Sequence, residues 1–119
     1  MPQLQPFHER GFAFACAVVQ LYVRLVRLPD LPWHVARQVL RAGTSIGANL
    51  EEARGAQTRR DLTAKFSIAL KEARESVYWL KLIQATNLAP SQLIAPVLAE
   101  ATELVAILTV ARRKLNANG

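Results

Sequence analysis

The sequence predicts an all-α fold, an antiparallel up-and-down four-helix bundle, from three observations. Aliphatic residues and alanine dominate a chain that is 51% hydrophobic and holds only five glycines and six prolines, a composition that favours helices over short strands and turns. Apolar residues recur at three- and four-residue spacing over long stretches. Three short breaker clusters, Leu28-Pro29-Asp30-Leu31-Pro32, Arg54-Gly55-Ala56-Gln57-Thr58 and Asn87-Leu88-Ala89-Pro90-Ser91, cut the chain into four such stretches. Connections this short between long helices make sequential neighbours run antiparallel. The 119 residues suit one domain, 1–119, with one continuous core.

The first helix carries two apolar stripes. Phe14, Val18, Leu21, Leu25 and Leu28 form one, and Phe12, Cys16, Val19, Val23 and Val26 the other, leaving Gln20, Arg24 and Arg27 as a narrow polar face. An outer helix of a lone bundle shows water a wide polar face, so this one is expected to pack on a second subunit through Phe12, Cys16, Val19 and Val23 as well as on its own core. The other reading places it centrally in its own monomer. The same region mimics a targeting segment, with Ala15-Cys16-Ala17 resembling a cleavage site, but only Gly11 to Phe14 precede that site, against the ~7 to 15 apolar residues a signal core needs. Gln20 and Arg24 interrupt any membrane span of ~20 residues, and no membrane partner is expected. A lone Cys16 among apolar neighbours reads as a buried, inert thiol, which fits a reducing cytoplasm.

The second helix contains Gly43 and Gly47, each costing ~1 kcal/mol relative to alanine. Sharing a face with Ala36 and Leu40, they admit the close approach of another backbone; a local kink near Ser45 is the alternative. Arg41, Ser45, Ala48 and Glu52 share one row of this helix, and Asn49 falls on the Val39, Ala42, Ile46 stripe, so polarity enters the core. In the third helix Leu62, Phe66, Ala69, Ala73, Leu80 and Ile83 form the buried face, opposite Lys71, Arg74, Tyr78 and Lys81. Glu72 and Glu75 sit between Ile68 and Trp79 and need partners. Arg41, with its fork of donors, is the expected one, in a buried polar network of Arg41, Ser45, Asn49, Glu52, Glu72 and Glu75; a solvated charged strip is the other possibility. The fourth helix repeats Ile94, Val97, Leu98, Ala101, Leu104, Val105, Leu108 and Leu115 as a single buried face. Thr58, with Asp61 three residues on, and Ser91, after Pro90, are expected to satisfy amides at helix starts.

Two motifs, Arg41-Ala42-Gly43-Thr44-Ser45-Ile46-Gly47-Ala48-Asn49-Leu50-Glu51-Glu52-Ala53 and Leu70-Lys71-Glu72-Ala73-Arg74-Glu75-Ser76-Val77-Tyr78-Trp79-Leu80, resemble the four helix bundle protein family, also called the 23S ribosomal RNA intervening sequence proteins. Ser45, Asn49 and Glu52 match that family's small polar triplet, and Lys71, Glu72, Glu75 and Trp79 its second motif. Leu50 and Glu51 depart from it, standing where many relatives carry an aromatic and a basic residue. The resemblance implies four antiparallel helices and a ring-like homopentamer, with no assigned molecular function. Some members are encoded within insertions in ribosomal RNA genes, and a related branch assists reverse transcriptases and contacts nucleic acid.

No enzyme is expected. A di-iron bundle needs two Glu-x-x-His motifs, yet the two histidines, His8 and His34, follow Gln5 and Leu31 at that spacing. Phosphate loop, nucleophile elbow and paired cysteines are all missing, so no cofactor, metal or small-molecule substrate is expected. The net charge of +6 and pI near 10.3 admit RNA or another nucleic acid as a partner beside self-association. The end of the bundle that gathers the N-terminus, second turn and C-terminus collects Arg10, Arg54, Arg59, Arg60, Arg112, Arg113 and Lys114 against Glu9, Glu51, Glu52 and Asp61. This basic end is where nucleic acid would bind, if it binds; the other reading is that Arg112, Arg113 and Lys114 simply complement the dipole of the last helix and that Arg59 and Arg60 form a solvated turn.

Overall fold

In the computed structural model, which describes residues 6–117, every breaker cluster marks the boundary between two helices. The elements are α1 (Phe7–Leu25), α2 (Trp33–Arg54), α3 (Arg59–Thr86) and α4 (Ser91–Ala117). Their starts and stops follow local chemistry. Pro6 and Pro32 precede α1 and α2 with φ already near helical values, and their carbonyls accept the first amides, from Arg10 at 3.0 Å and Ala36 at 3.3 Å. Thr58 caps α3 as expected, its Oγ1 accepting the Asp61 amide at 3.0 Å. Ser91 does not cap α4: it is the first helical residue, and the Pro90 carbonyl before it accepts from Leu93. Asn87 ends α3 with φ 57°, a left-handed conformation that asparagine tolerates better than most residues.

Each helix packs along its chain neighbours, and α1 and α4 close the bundle through a sparser seam. Phe14, Val18, Leu21 and Leu25 of α1, Val39 and Ile46 of α2, Leu80 and Ile83 of α3, and Ile94, Leu104 and Leu108 of α4 are sealed from solvent. Each contributes ~1.5–3 kcal/mol of apolar burial. Pro96 lies in the second turn of α4, where its missing N–H forgoes one bond to Gln92.

α2 is unbroken through Ser45; Gly47 admits the backbone of α1 in the same chain, and Gly43 admits an α1 side chain. A Cβ on Gly47 would lie 2.9 Å from the Gly11 carbonyl oxygen, and one on Gly43 2.6 Å from Val18 Cγ2. The two glycines therefore set how closely α1 and α2 approach.

Candidate functional site

Antiparallel α2 and α3 bring Arg41 opposite Glu72 and Glu75. Arg41 Nη1 donates to both Glu72 oxygens at 3.3 and 3.2 Å, its Nη2 donates to Glu75 Oε1, and its Nε donates to Gln38 at 3.0 Å. Ser45 Oγ lies 3.5 Å from Glu72 Oε2, and Asn49 Nδ2 donates to the Ser45 carbonyl at 2.8 Å and its Oγ at 3.2 Å. Glu72 is only 8% exposed, so its charge requires these donors. The Arg41 hydrogen bond, assisted by Trp79 Nε1 at 3.2 Å, holds the Glu75 carboxyl below its ordinary value, and the same bond raises Arg41. Glu52 does not join this network: it is exposed and pairs with Lys65 at 2.8 Å, raising the Lys65 pKa. Asn49 is half-buried at the rim of the core stripe. Ser76 is buried with no hydrogen-bond partner for its Oγ among the described residues.

The expected basic end divides. Arg10 Nε donates to Glu100 at 2.9 Å, a bond that raises its pKa, and Arg54 pairs with Glu51 at 3.2 Å; both cations are already neutralised. Arg59 donates to the Leu115 carbonyl at 3.4 Å and Arg112 to Ser67 Oγ at 2.7 Å. Arg60, Arg113 and Lys114 are exposed with no ion pair among the described residues. An open groove of about 470 Å³ runs between the start of α3 and the end of α4, past Arg59, Arg60 and Leu115. No cluster of three potential metal ligands occurs among the described residues.

Phe12, Cys16, Val19, Val23 and Val26 all face solvent, with Phe12 69% exposed. They alternate at four- and three-residue spacing, the seam period of a helix that packs on another helix. Cys16 is accordingly an exposed thiol, contrary to the buried one expected from its apolar neighbours. Sequence reasoning also missed the outer side of α4. Ile94, Ala101, Leu104 and Leu108 are buried as expected, but Ala95, Ala99, Ala106 and Val110 form an exposed apolar side. By length and composition α4 alone among the described residues passes for a membrane span: its most apolar window has mean hydropathy 1.9, and only 22% of that window is buried.

A further surface lies across α2 and α3. Trp33, His34, Trp79 and Tyr78 form a chain of edge-to-face rings, with successive centroids 6.3, 6.5 and 5.1 Å apart. The Arg37 guanidinium sits 5.2 Å from the Trp33 centroid. The sequence signal was present in the row Lys71, Arg74, Tyr78, Lys81, but nothing local to α3 tells that His34 meets Trp79 beside that row.

The family model described as 23S rRNA-intervening sequence protein matches residues 7–110. A crystal structure from Bacteroides thetaiotaomicron, of a protein with unknown function from the S23 ribosomal protein family, is 37% identical with a TM-score of 0.81; the match covers 89% of this chain and 97% of that one. Among curated proteins none matches the chain.

Proposed function

Starting from the chain's membership of the 23S rRNA-intervening sequence protein family, we propose that it is a non-enzymatic, self-associating module, a homopentamer that serves as a cytoplasmic scaffold or adaptor. The observation that carries this reading is the exposed seam of Phe12, Cys16, Val19 and Val23 on α1, continued by Val26 at its C-cap. Apolar side chains at that spacing gain most by packing on another helix. The uncovered outer side of α4 supplies further apolar surface for other copies. The five-fold count comes from the resemblance alone.

Gel filtration with light scattering tests the proposal. The oligomer has a mass of about 66 kDa, five times the 13.2 kDa chain, and Val19→Glu with Val23→Glu reduces it to the monomer, because unpaired charges cannot be buried in an apolar seam. A monomeric parent at micromolar concentration, or one that sediments with phosphatidylcholine vesicles, overturns the reading.

A second reading, an RNA-binding accessory protein using a basic end, is favoured by the groove beside Arg59 and Arg60. Five cations support it, Arg59, Arg60, Arg112, Arg113 and Lys114, since Arg10 and Arg54 are held by carboxylates.

A further inference from the structure

We propose that the outer face of α2 and α3 is a stacking surface for single-stranded nucleic acid, carried by Trp33 and Tyr78 and flanked by Arg37, Lys71, Arg74 and Lys81. It is independent of both the apolar seam and the basic end. Trp33 and Tyr78 are 63% and 58% exposed, although large aromatic rings ordinarily gain by burial. His34 and Trp79 link the outer pair edge to face: His34 is itself exposed, while Trp79 is half-buried and tied to Glu75 through Nε1. Glu75 is in turn held by Arg41. The Trp79 end of the ring chain is thus anchored by the polar network beneath it, and a base that stacks beside it loses less to ordering the protein.

Charge selects the partner. The exposed row Lys71, Arg74, Tyr78, Lys81 contains no carboxylate, and none of Arg37, Lys71, Arg74 or Lys81 makes an ion pair among the described residues. The nearby carboxylates, Glu72 and Glu75, are both taken by Arg41. A protein-binding hot spot needs energetically neutral surroundings that exclude water, whereas the exposed rings Trp33 and Tyr78 stand beside a row of cations that holds no carboxylate. Flat rings beside unpaired cations match a polymer that presents flat bases on a phosphate backbone. Duplexes hide their base faces, so the surface requires unpaired strands.

Both tryptophans of the chain, Trp33 and Trp79, belong to this ring cluster, so intrinsic fluorescence reports on this face. Titrating the full chain with a dodecamer of uridylate at low salt quenches tryptophan emission saturably, while inorganic polyphosphate of equal charge does not. Trp33→Ala and Tyr78→Ala each weaken binding ~10-fold and leave helical content and oligomer mass unchanged, as suits exposed side chains. Reversing Arg59, Arg60, Arg112 and Arg113 to glutamate leaves the quenching in place. Quenching by polyphosphate as strong as by uridylate means charge without stacking and overturns the proposal. So does unaltered affinity in both variants, competition by polyglutamate as effective as by RNA, or a lower oligomer mass in Trp33→Ala, which would make this face a subunit contact.

Discussion

Glu72 is a nearly buried carboxylate whose only strong donor among the described residues is a guanidinium that water still reaches. Arg41→Met leaves Glu72 with the long Ser45 contact alone and is expected to cost ~1–3 kcal/mol, the range for stranding a buried polar group. Exposure of Arg41 keeps the loss below that of a sealed ion pair. The pH dependence has a definite sign. Because the Arg41 bond holds Glu75 below 4.5, the stability from its ionised form is fully present above that value and is lost as pH falls through its lowered pKa. The melting-temperature gap between parent and Arg41→Met is therefore wide at neutral pH and narrows in acid. A gap that stays constant down to about pH 3 would show that the bond contributes nothing. Row arithmetic made most of this network legible: Arg41 and Ser45 share a row, and two carboxylates framed by apolar side chains demand a donor. The same arithmetic misplaced Glu52. A row continues along its own helix while the antiparallel partner runs the other way, so about three turns beyond Arg41 the opposing residue is Lys65 rather than Glu72. The unpartnered Ser76 hydroxyl had no sequence signal at all.

Helix spacing is where glycine decides stability. Gly43→Ala drives a Cβ into the sealed Val18 side chain, and Gly47→Ala drives one into the Gly11 backbone. Each is expected to lower the denaturation midpoint by the equivalent of ~1–3 kcal/mol, the usual cost of overpacking. Gly55 is the control. Its φ is −96° and the nearest atom to an added Cβ is 3.8 Å away, so Gly55→Ala is expected to stabilise by ~0.4–1 kcal/mol by restricting the unfolded chain. Urea denaturation of the three variants orders them. Gly43→Ala and Gly47→Ala melting with the parent would mean that the α1–α2 distance is set elsewhere. The paired glycines announced in the sequence that something approaches closely, but periodicity does not identify the partner. Helix α4 shows the opposite failure: the sequence reading gave it a single buried face, and Ala95, Ala99 and Ala106 gave no signal of a second apolar side, because a small side chain gives little hydrophobic contrast.

On the scale of the whole molecule, four helices, their order and the ends at which the turns gather were all legible, since they follow from breakers and short connections. The distribution of charge was legible only in part. The basic end formed, but Glu100, distant in sequence, took Arg10 out of it. Duplex RNA isolates what remains, because its bases are unavailable to Trp33 and its phosphates are not. Association of a short RNA duplex with the parent is expected to fall steeply with salt as counterions are released. Changing Arg59, Arg60, Arg112 and Arg113 to glutamate abolishes it without altering oligomer mass. Duplex binding that survives the reversal, or that is undetectable in the parent at low salt, removes the basic end as a nucleic-acid surface.

The Arg10–Glu100 bridge joins residues 90 positions apart, and this gives the folding route an order. The other three interfaces each join consecutive helices, so they form by closing short loops, whose entropic cost is small. Contacts so local place the chain among helical proteins that fold in roughly microseconds to milliseconds. The seam between α1 and α4 must instead bring the two ends of nearly the whole chain together, and it has the fewest contacts to reward the closure. It is the natural last step of assembly and the first place for the finished bundle to breathe open, with the helical hairpins on either side still intact.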